Sequence, residues 1–344
     1  MNLDKYIDIA LQFLPESSGK DIQIFSVDSG LINHTFHVKN KVDDYILQKL
    51  NHKVFSNPKC IHDNYEIVRS ALVNSSYSRE LLFFLKNKNN LELVCCDNEF
   101  WRMSKRIRGI TYDICRSEEM AHHSAQTLAE FHKGLINVTG IDSPISRFTD
   151  FQYRIEQFNR VLSNGSHTRL NKANDLIGFV ESNLKLIETY LKVEKSLPAR
   201  VIHGDPKVSN FLFDEQTSSV NALIDMDTLM PGSILYDFGD MVRSFASILS
   251  EDDNSDGSKF SPVIYNSLLE GYLTHGSEFL IQEEIEGLPL SILSVSLIQG
   301  IRFLTDYIDN DIYYRVFYRD QNLHRAKNQF RFYSEAQEYV RLSY

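Results

Sequence analysis

The sequence predicts a two-lobed α+β protein, in which a small strand-rich part precedes a larger helical part. Between residues 22 and 107, short runs of apolar residues are separated by Gly, Asn and Asp, a pattern typical of antiparallel strands. From residue 109 onward, the apolar positions recur mostly at helical spacing. We therefore divide the chain into an N-terminal part, residues 1–108, and a C-terminal part, residues 109–344.

The composition is that of an ordinary globular protein and excludes several other classes. Hydrophobic residues make up 42% and charged residues 24% of the 344-residue chain, so neither a disordered nor a collagen-like chain fits. The net charge is −10 and no stretch concentrates Lys and Arg, which argues against nucleic-acid binding. The four cysteines show no CxxC pair and no metal-ligand spacing, so we expect reduced thiols.

No segment has the pattern of a targeting or membrane sequence. Asp4, Lys5 and Asp8 interrupt the first apolar positions, which argues against a signal peptide. The apolar segment 288–304 contains Pro289 and Arg302, and we interpret it as a buried helix. We expect a cytoplasmic protein without a membrane partner.

The N-terminal part is expected to contain five strands and one long helix. A short amphipathic helix over residues 3–14 precedes them, and the long helix falls within residues 58–85, interrupted near residues 74–76. The strands are predicted at residues 22–28, 35–38, 45–50, 91–95 and 100–107.

The C-terminal part is helical around one short island of strands. The strands of this island are predicted at residues 200–202, 211–213 and 220–224, with polar, sharply turning segments between them. Helices resume near Leu235. The acidic run over residues 251–257 is interpreted as a solvated turn.

The strand island carries the residues with the clearest chemistry. Asp205 and Asn210 are five positions apart in the segment His-Gly-Asp-Pro-Lys-Val-Ser-Asn, and Asp225 follows an apolar strand. Protein kinases space their catalytic Asp and metal-binding Asn in the same way, and place another metal-binding Asp after a strand. Transfer of a γ-phosphoryl group needs one carboxylate to orient and deprotonate the attacking hydroxyl and further oxygen ligands for magnesium. These residues supply both.

With His-Gly-Asp in place of the kinase His-Arg-Asp, the sequence resembles the aminoglycoside phosphotransferase and choline kinase-like family over nearly its whole length. The resemblance implies a protein kinase-like fold, with ATP bound between a small sheet-containing lobe and a helical lobe. It also implies that Asp205 is the catalytic base, that Asn210 and Asp225 bind Mg²⁺, and that ATP and Mg²⁺ are required.

A finer resemblance is to those family members that phosphorylate the anomeric hydroxyl of N-acetylhexosamines. It implies that the product is a sugar 1-phosphate and that Arg302 contacts the sugar, and we assign Asp205 and Tyr307 to the same site. His34 follows the loop between the first two strands and is placed on the substrate side, although a lone histidine is more often a hydrogen-bonded structural residue. The alternatives are another small-molecule kinase, acting on choline, homoserine, methylthioribose or an aminoglycoside, and a pseudokinase that only binds a partner. The stretches that carry this resemblance are residues 45–51, 222–231, 236–244 and 302–307.

The nucleotide-binding residues are less sharply defined. Ser29 and Gly30 lie between two predicted strands, where backbone amides can approach phosphates, although an ordinary hairpin turn fits the same residues. Kinase-like folds carry a phosphate-binding lysine on the third strand, and here Gln48 or Lys49 occupies that position. Because strand side chains alternate, only one of them faces the cleft, and we favour Gln48. Glu66 is a weak candidate for the helix residue that would pair with a lysine.

Several residues near these motifs have structural interpretations. Asp237 and Asp240 open a predicted helix, where carboxylates favour the N-terminus, and we assign both a structural role. Arg302 and Asp306 are four residues apart, so an ion pair along one helix face competes with a role in sugar binding. The remaining histidines considered, His122, His123 and His132, are taken as non-catalytic.

Overall fold

The computed structural model describes residues 3–14, 22–27, 33–41, 43–52, 54–55, 57–253, 255, 257 and 259–340. Five antiparallel strands form the sheet of the N-terminal lobe, in the order β1-β2-β3-β5-β4. Each of the five predicted strands is present. With the helical second lobe, they confirm the expected two-lobed α+β fold. Their bounds are β1 Gln23–Val27, β2 His34–Lys39, β3 Asp44–Leu50, β4 Val94–Cys96 and β5 Glu99–Lys105.

Helices cover both faces of this sheet. The short helix α1, Leu3–Ala10, packs against a face that contains Leu47, Trp101 and Met103. The long helix α2, Pro58–Val73, begins at the N-cap Asn57, whose side chain accepts a hydrogen bond from the backbone of Cys60. The expected continuation of the helix beyond residue 76 is wrong.

Residues 80–86 are extended because their backbone bonds to neighbouring strands instead of closing helical turns. Phe84 forms a β-bridge with Ser104, and the N–H of Leu85 donates to the carbonyl of Met103. These bonds use backbone groups that a helix would pair internally. The segment thus adds to the sheet of the N-terminal lobe.

The C-terminal lobe is mainly helical, as predicted. The apolar helix α8 lies at its centre, where glycine and serine let neighbouring elements approach; Gly239 of α6 has no room for a Cβ against the carbonyl of Ser291. The helices are α3 Glu118–Gly134, α4 Phe151–Asn164, α5 His167–Glu194, α6 Ile234–Phe245, α7 Pro262–Gly276, α8 Gln282–Ile308 and α9 Gln321–Tyr339.

Helix α8 is long and apolar enough to cross a membrane, by length and composition alone, although Pro289 and Arg302 argued against a membrane span. However, 83% of its most apolar window is buried inside the protein. Leu293, Leu297 and Ile301 are fully buried. The expected buried helix is therefore present, and it forms the core of the C-terminal lobe.

The strand island consists of two small antiparallel ladders. Strand β6, Arg200–Ile202, pairs with β9, Met230–Gly232, a strand that the sequence pattern did not indicate. Strand β7, Phe211–Phe213, pairs with β8, Val220–Leu223. The segment with the kinase-like spacing connects β6 to β7, and Asp225 follows β8.

Candidate active site

A buried carboxylate holds the start of the loop between β6 and β7. Asp237, in the first turn of α6, accepts hydrogen bonds from the backbone N–H of His203 at 2.6 Å and of Gly204 at 2.8 Å. The Nε2 of His132 donates to the same carboxylate at 3.0 Å, and Nδ1 of that ring lies 2.8 Å from the Tyr272 hydroxyl. Asp237 thus anchors the loop, which is the kind of structural role expected of it, and His132 helps to hold the Asp237 carboxylate in place.

The backbone of this loop explains why glycine follows His203. Gly204 has a φ of +83°, in the left-handed region that favours glycine. A Cβ on Gly204 would also lie 2.7 Å from the carbonyl oxygen of Thr228. The arginine that protein kinases carry here does not fit this conformation.

His203 links the loop to the end of strand β8. Its ring Nε2 lies 2.9 Å from the carbonyl of Ile224, so it carries the proton and donates. The Nδ1 then accepts from the N–H of Asp205 at 3.2 Å. Because Ile224 precedes Asp225, this fully buried ring brings Asp205 and Asp225 to one side of the strand island.

The carboxylate of Asp205 has two side-chain partners within its own loop. Lys207 Nζ donates to Oδ2 at 2.6 Å, and Asn210 Nδ2 donates to the same oxygen at 3.1 Å. Burial lowers the pKa of Lys207, but the carboxylates of Asp205 and Asp225 outweigh this effect and raise it above its ordinary value. Lys207 is therefore a fixed cation beside Asp205. Its position two residues after Asp205 was a signal that the sequence reading did not use.

Asp225 has an unusual backbone and a crowded electrostatic environment. Its φ of +63° places it in the left-handed region, where strain often accompanies function. Burial first, and then the neighbouring charge of Asp227, raises its pKa to about 6. Among the described residues, no donor forms a hydrogen bond with the Asp225 carboxylate.

This set of groups fits a magnesium ion. The amide nitrogen of Asn210 is used by Asp205, whose backbone carbonyl it also reaches at 2.7 Å, so the amide oxygen is available on the other side. Carboxylate and amide oxygens are the ligands that Mg²⁺ takes, usually one or two from protein with the rest from phosphates and water. Within the described ranges, no three His, Cys, Asp or Glu side chains are grouped so as to hold a metal ion by themselves.

Asp227 connects the two lobes beside this site. It is 3% exposed, and its Oδ1 lies 2.6 Å from Nη2 of Arg102, which is 4% exposed on strand β5. Its Oδ2 accepts from Asn33 Nδ2 at 2.6 Å, just before strand β2. The sequence reading missed all three residues. The signal that could have found them is the arginine between Trp101 and Met103. A charged side chain in an otherwise apolar strand is buried only when it has a partner, so Arg102 indicates a buried carboxylate nearby.

The strand register separates the two candidates for the nucleotide-binding position. Gln48 is paired with Arg102 across β3 and β5 and faces the C-terminal lobe. Lys49 lies on the opposite face, where its Nζ is 2.9 Å from Glu99. We therefore carry Gln48 forward as the candidate and withdraw Lys49. Glu66 pairs with Arg69 on helix α2.

The other candidates in the N-terminal lobe are Ser29, Gly30 and His34. Ser29 and Gly30 lie outside the described residues. His34 is exposed and lies opposite Lys49 in the β2–β3 register, so its side chain is on the outer face of the sheet. Strand alternation turns its neighbours Asn33 and Thr35 toward the inner face, and His34 away from it. The expected contact of His34 with the sugar is therefore contradicted.

Arg302 does not form the ion pair with Asp306 that its helical spacing allowed. Its Nη1 donates to Gln299 at 2.9 Å, and its guanidinium lies 5.4 Å from the ring centroid of Phe148. Asp306 instead accepts from the backbone N–H groups of Tyr313 at 2.7 Å and Tyr314 at 2.9 Å. The carboxylate of Asp306 thus closes the loop after α8, and Arg302 keeps its charge without a carboxylate bound to it among the described residues.

Tyr307 is not beside Arg302. It is fully buried, its hydroxyl lies 3.1 Å from Asp320, and the guanidinium of Arg169 stacks on its ring. Five residues turn a helix through well over a full turn, so the two side chains leave α8 in different directions. The expected contact of Tyr307 with a sugar is contradicted by this interior position.

A second arginine and a tyrosine share the region of Arg302. Burial first, and then the positive charge of Arg302, lowers the pKa of Arg154, whose Nε has no hydrogen-bond partner among the described residues. Burial raises the pKa of Tyr236, Asp240 raises it further, and the nearby Arg302 lowers it. Asp205 also raises the pKa of Tyr236, so the charges of Asp205 and Arg302 both act on this side chain.

The acidic run after α6 begins in an exposed turn, as expected, and two of its carboxylates are also ion-paired. Glu251 pairs with Arg243 at 3.1 Å, and Asp252 pairs with Arg325 at 2.6 Å. Arg243 in turn bonds Asp240 at 2.8 Å. The run is therefore tied to α9 and, through Arg243, to the region of Asp205, a connection that its composition alone did not reveal.

The two lobes and the residues around Asp205 define the chain as a phosphotransferase of the kinase-like type. The model of the phosphotransferase enzyme family, APH, matches residues 24–272, and the chain belongs to this family. As a member of this family it is a phosphotransferase of the small-molecule kinase type.

Solved structures of similar fold span nearly the whole chain. A microcompartment-associated aminopropanol kinase has a TM-score of 0.67 at 14% identity, covering 99% of this chain and 100% of its own. The Plasmodium vivax ethanolamine kinase has a TM-score of 0.61 at 14% identity, covering 96% and 88%. A spectinomycin phosphotransferase in complex with ADP and spectinomycin has a TM-score of 0.54 at 13% identity, covering 91% and 88%. At such low identity these likenesses concern the fold.

Proposed function

We propose that the protein transfers the γ-phosphoryl group of ATP to the anomeric hydroxyl of an N-acetylhexosamine, giving the sugar 1-phosphate. The observation that carries this proposal is that the charges of Asp205 and Arg302 both act on Tyr236, so the proposed base and an arginine suited to an oxygen-rich acceptor lie near the same side chain. The family membership supports the reaction type, and the residues around Arg302 support the acceptor.

Asp205 is the general base in this proposal. Its carboxylate is within a loop fixed by Asp237 and His203, so its position does not depend on the substrate. It orients the anomeric hydroxyl and takes its proton as the phosphoryl group is transferred in line. Asn210 and Asp225 would hold magnesium, which when bound neutralises phosphate charge.

Lys207 adds a fixed positive charge beside the base. Its ammonium lies 2.6 Å from Asp205 Oδ2, and the charge of Asp225 also raises the pKa of Lys207. In a phosphoryl transfer, charge is spread over the equatorial oxygens, and preorganised cations stabilise it. We assign Lys207 to this task.

The charge of the acceptor region favours a sugar over an amine. Arg302 and Arg154 lie close enough for one to lower the pKa of the other. Neither has a carboxylate within ion-pair distance in the part of the chain that the structure describes, and Asp240 is already paired with Arg243. A cationic acceptor such as choline, ethanolamine or an aminoglycoside would be repelled by two such guanidinium groups. Hydroxyl and acetamide oxygens would accept hydrogen bonds from them.

An acceptor panel tests this proposal. The purified protein with ATP and Mg²⁺ would be assayed for ADP release with GlcNAc, GalNAc, choline, ethanolamine, homoserine, methylthioribose and an aminoglycoside. We expect turnover with one or both N-acetylhexosamines and none with the amines. Turnover of an amine without turnover of either sugar would contradict the acceptor assignment, and no turnover with any acceptor would favour the pseudokinase alternative. In EDTA the activity is expected to disappear and to return when Mg²⁺ is added.

A further inference from the structure

The inner face of strand β3 presents a neutral amide where kinase-like folds present a lysine. Gln48 lies directly opposite Arg102 in the β3–β5 register, so the two side chains share this face. Arg102 Nε and Nη2 lie 3.0 and 2.8 Å from Gln48 Oε1. Because arginine has donors only, this contact fixes the amide oxygen of Gln48 toward Arg102.

The amide nitrogen of Gln48 is consequently turned toward strand β2. It lies 3.4 Å from Oγ1 of Thr35, which follows His34, the first residue of that strand. In kinase-like folds the turn between the first two strands covers the nucleotide phosphates. The N–H of Gln48 is therefore held in a direction suited to a phosphate oxygen.

Arg102 has a second contact that reaches the other lobe. Its Nη2 also donates to Asp227 at 2.6 Å, and its guanidinium stacks on the ring of Phe84 at 4.8 Å from the centroid. Asp227 lies two residues after Asp225 in the same 3₁₀ turn region. One guanidinium thus joins the strand that carries Gln48 to the segment that carries the proposed magnesium ligand.

We propose that Gln48 and Arg102 divide between them the tasks of the usual strand lysine. Gln48 donates a hydrogen bond to a nucleotide phosphate. Arg102 is a positioning residue: it orients the Gln48 amide and, through Asp227, holds the Asp225 segment against the N-terminal lobe. This inference rests on the ATP half of the proposed function and not on the identity of the acceptor.

A reciprocal exchange of the two residues provides a sharp test. Gln48→Lys alone would place an ammonium beside the buried guanidinium and remove the acceptor that Arg102 bonds. Arg102→Met alone would leave Asp227 without its cation and Gln48 without its orienting partner. In the double variant, the new ammonium at position 48 has no cation beside it. It can pair instead with Asp227, which has lost Arg102. The two harmful changes are therefore expected to compensate each other.

The readout is binding of ADP in the presence of Mg²⁺, measured by calorimetry without an acceptor. Each single variant is expected to weaken ADP binding about tenfold, the effect of one lost hydrogen bond to a charged group, and the double variant to recover to within about threefold of the wild type. Lys105→Met is the matched control, since this exposed cation on the same strand is 3.5 Å from Asp43. Its ADP binding is expected to be unchanged.

Two results would overturn the inference. One is a double variant whose loss equals the product of the two single losses, and the other is an Arg102→Met variant that binds ADP like the wild type. If circular dichroism shows that Arg102→Met is unfolded, Arg102→Lys replaces it, because it keeps a cation for Asp227 but loses the planar pair of donors that converges on Gln48 Oε1. Unchanged ADP binding in that variant would equally overturn the inference. A wrong acceptor leaves all these results unaffected, whereas a wild type that does not bind ADP would defeat the nucleotide half of the proposed function as well.

Discussion

The ring Nε2 of His132 lies 3.0 Å from Oδ2 of Asp237, and both side chains are inaccessible to solvent. The same carboxylate accepts hydrogen bonds from the backbone N–H groups of His203 and Gly204, at the start of the loop between β6 and β7. One buried charge therefore fixes where this loop begins. Because three donors converge on it, a neutral amide cannot replace it without turning its own N–H₂ toward a donor.

We expect Asp237→Asn to lower the free energy of unfolding by roughly 2–4 kcal/mol, because one buried donor loses its acceptor and the others lose a charged one. Urea unfolding followed by circular dichroism measures this change. Glu215→Gln, an exposed change in the turn after β7, is the control and is expected to have no effect. Equal stability of Asp237→Asn and the control would show that the carboxylate does not anchor the loop.

Asp205→Asn removes the proton acceptor while keeping the shape of the side chain. We expect kcat to fall about 10²- to 10⁴-fold, the range for loss of a general base. Binding of ATP is expected to persist, since the proposed nucleotide contacts are elsewhere. A variant with near-normal kcat and a normal circular dichroism spectrum would rule out Asp205 as the base.

Arg302→Ala separates sugar binding from a structural role. If Arg302 donates to the acceptor, its loss raises the KM for the sugar about tenfold or more and leaves the KM for ATP within about twofold. Arg331→Ala removes an arginine that is 40% exposed and pairs with Glu335, and is expected to change neither constant. A parallel rise of both constants in Arg302→Ala would indicate that Arg302 only supports the fold.

Glu194 gives the stability a pH dependence that does not involve the active site. Burial, with a smaller contribution from Asp150, raises the pKa of Glu194 from 4.5 to about 7, although the Tyr190 hydroxyl lowers it. An acid whose pKa is raised on folding stabilises the protein fully below its unfolded value, and this stabilisation is lost as the pH rises through the folded value.

Between pH 4.5 and 7.5 we therefore expect the wild type to lose roughly 1–3 kcal/mol of unfolding free energy that Glu194→Gln does not lose. Urea unfolding at several pH values measures the difference between the two proteins. Glu188→Gln, an exposed change on the same helix, serves as the control. Parallel stability curves for the wild type and Glu194→Gln would contradict the raised pKa.

The sequence predicted those parts of the fold and site that depend on local spacing. Asp205 and Asn210 belong to one short loop, and Asp225 follows the strand that an apolar run indicated, so their proximity requires only that β6, β7 and β8 form. The alternation of β3 also established that only one of Gln48 and Lys49 can face the cleft. In each case the prediction depends on residues only a few positions apart in the chain.

Contacts that depend on distant elements were out of reach. Arg102 meets Asp227 only because β5 and the turn after β8 come together from different lobes, and no periodicity encodes that meeting. The helical spacing of Arg302 and Asp306 allowed an ion pair, but backbone N–H groups of the following loop took the carboxylate instead. His34 was misplaced because the face of a strand residue depends on where the strand begins.

The measurement that tests the account most directly compares a free N-acetylhexosamine with its 1-O-methyl glycoside. With ATP and Mg²⁺, phosphorus NMR is expected to show a sugar phosphate coupled to the anomeric proton when GlcNAc or GalNAc is supplied, and no product from either methyl glycoside, whose C1 oxygen carries no proton for Asp205 to remove. Phosphorylation of a methyl glycoside, or a product whose phosphate couples to a proton other than the anomeric one, would contradict it.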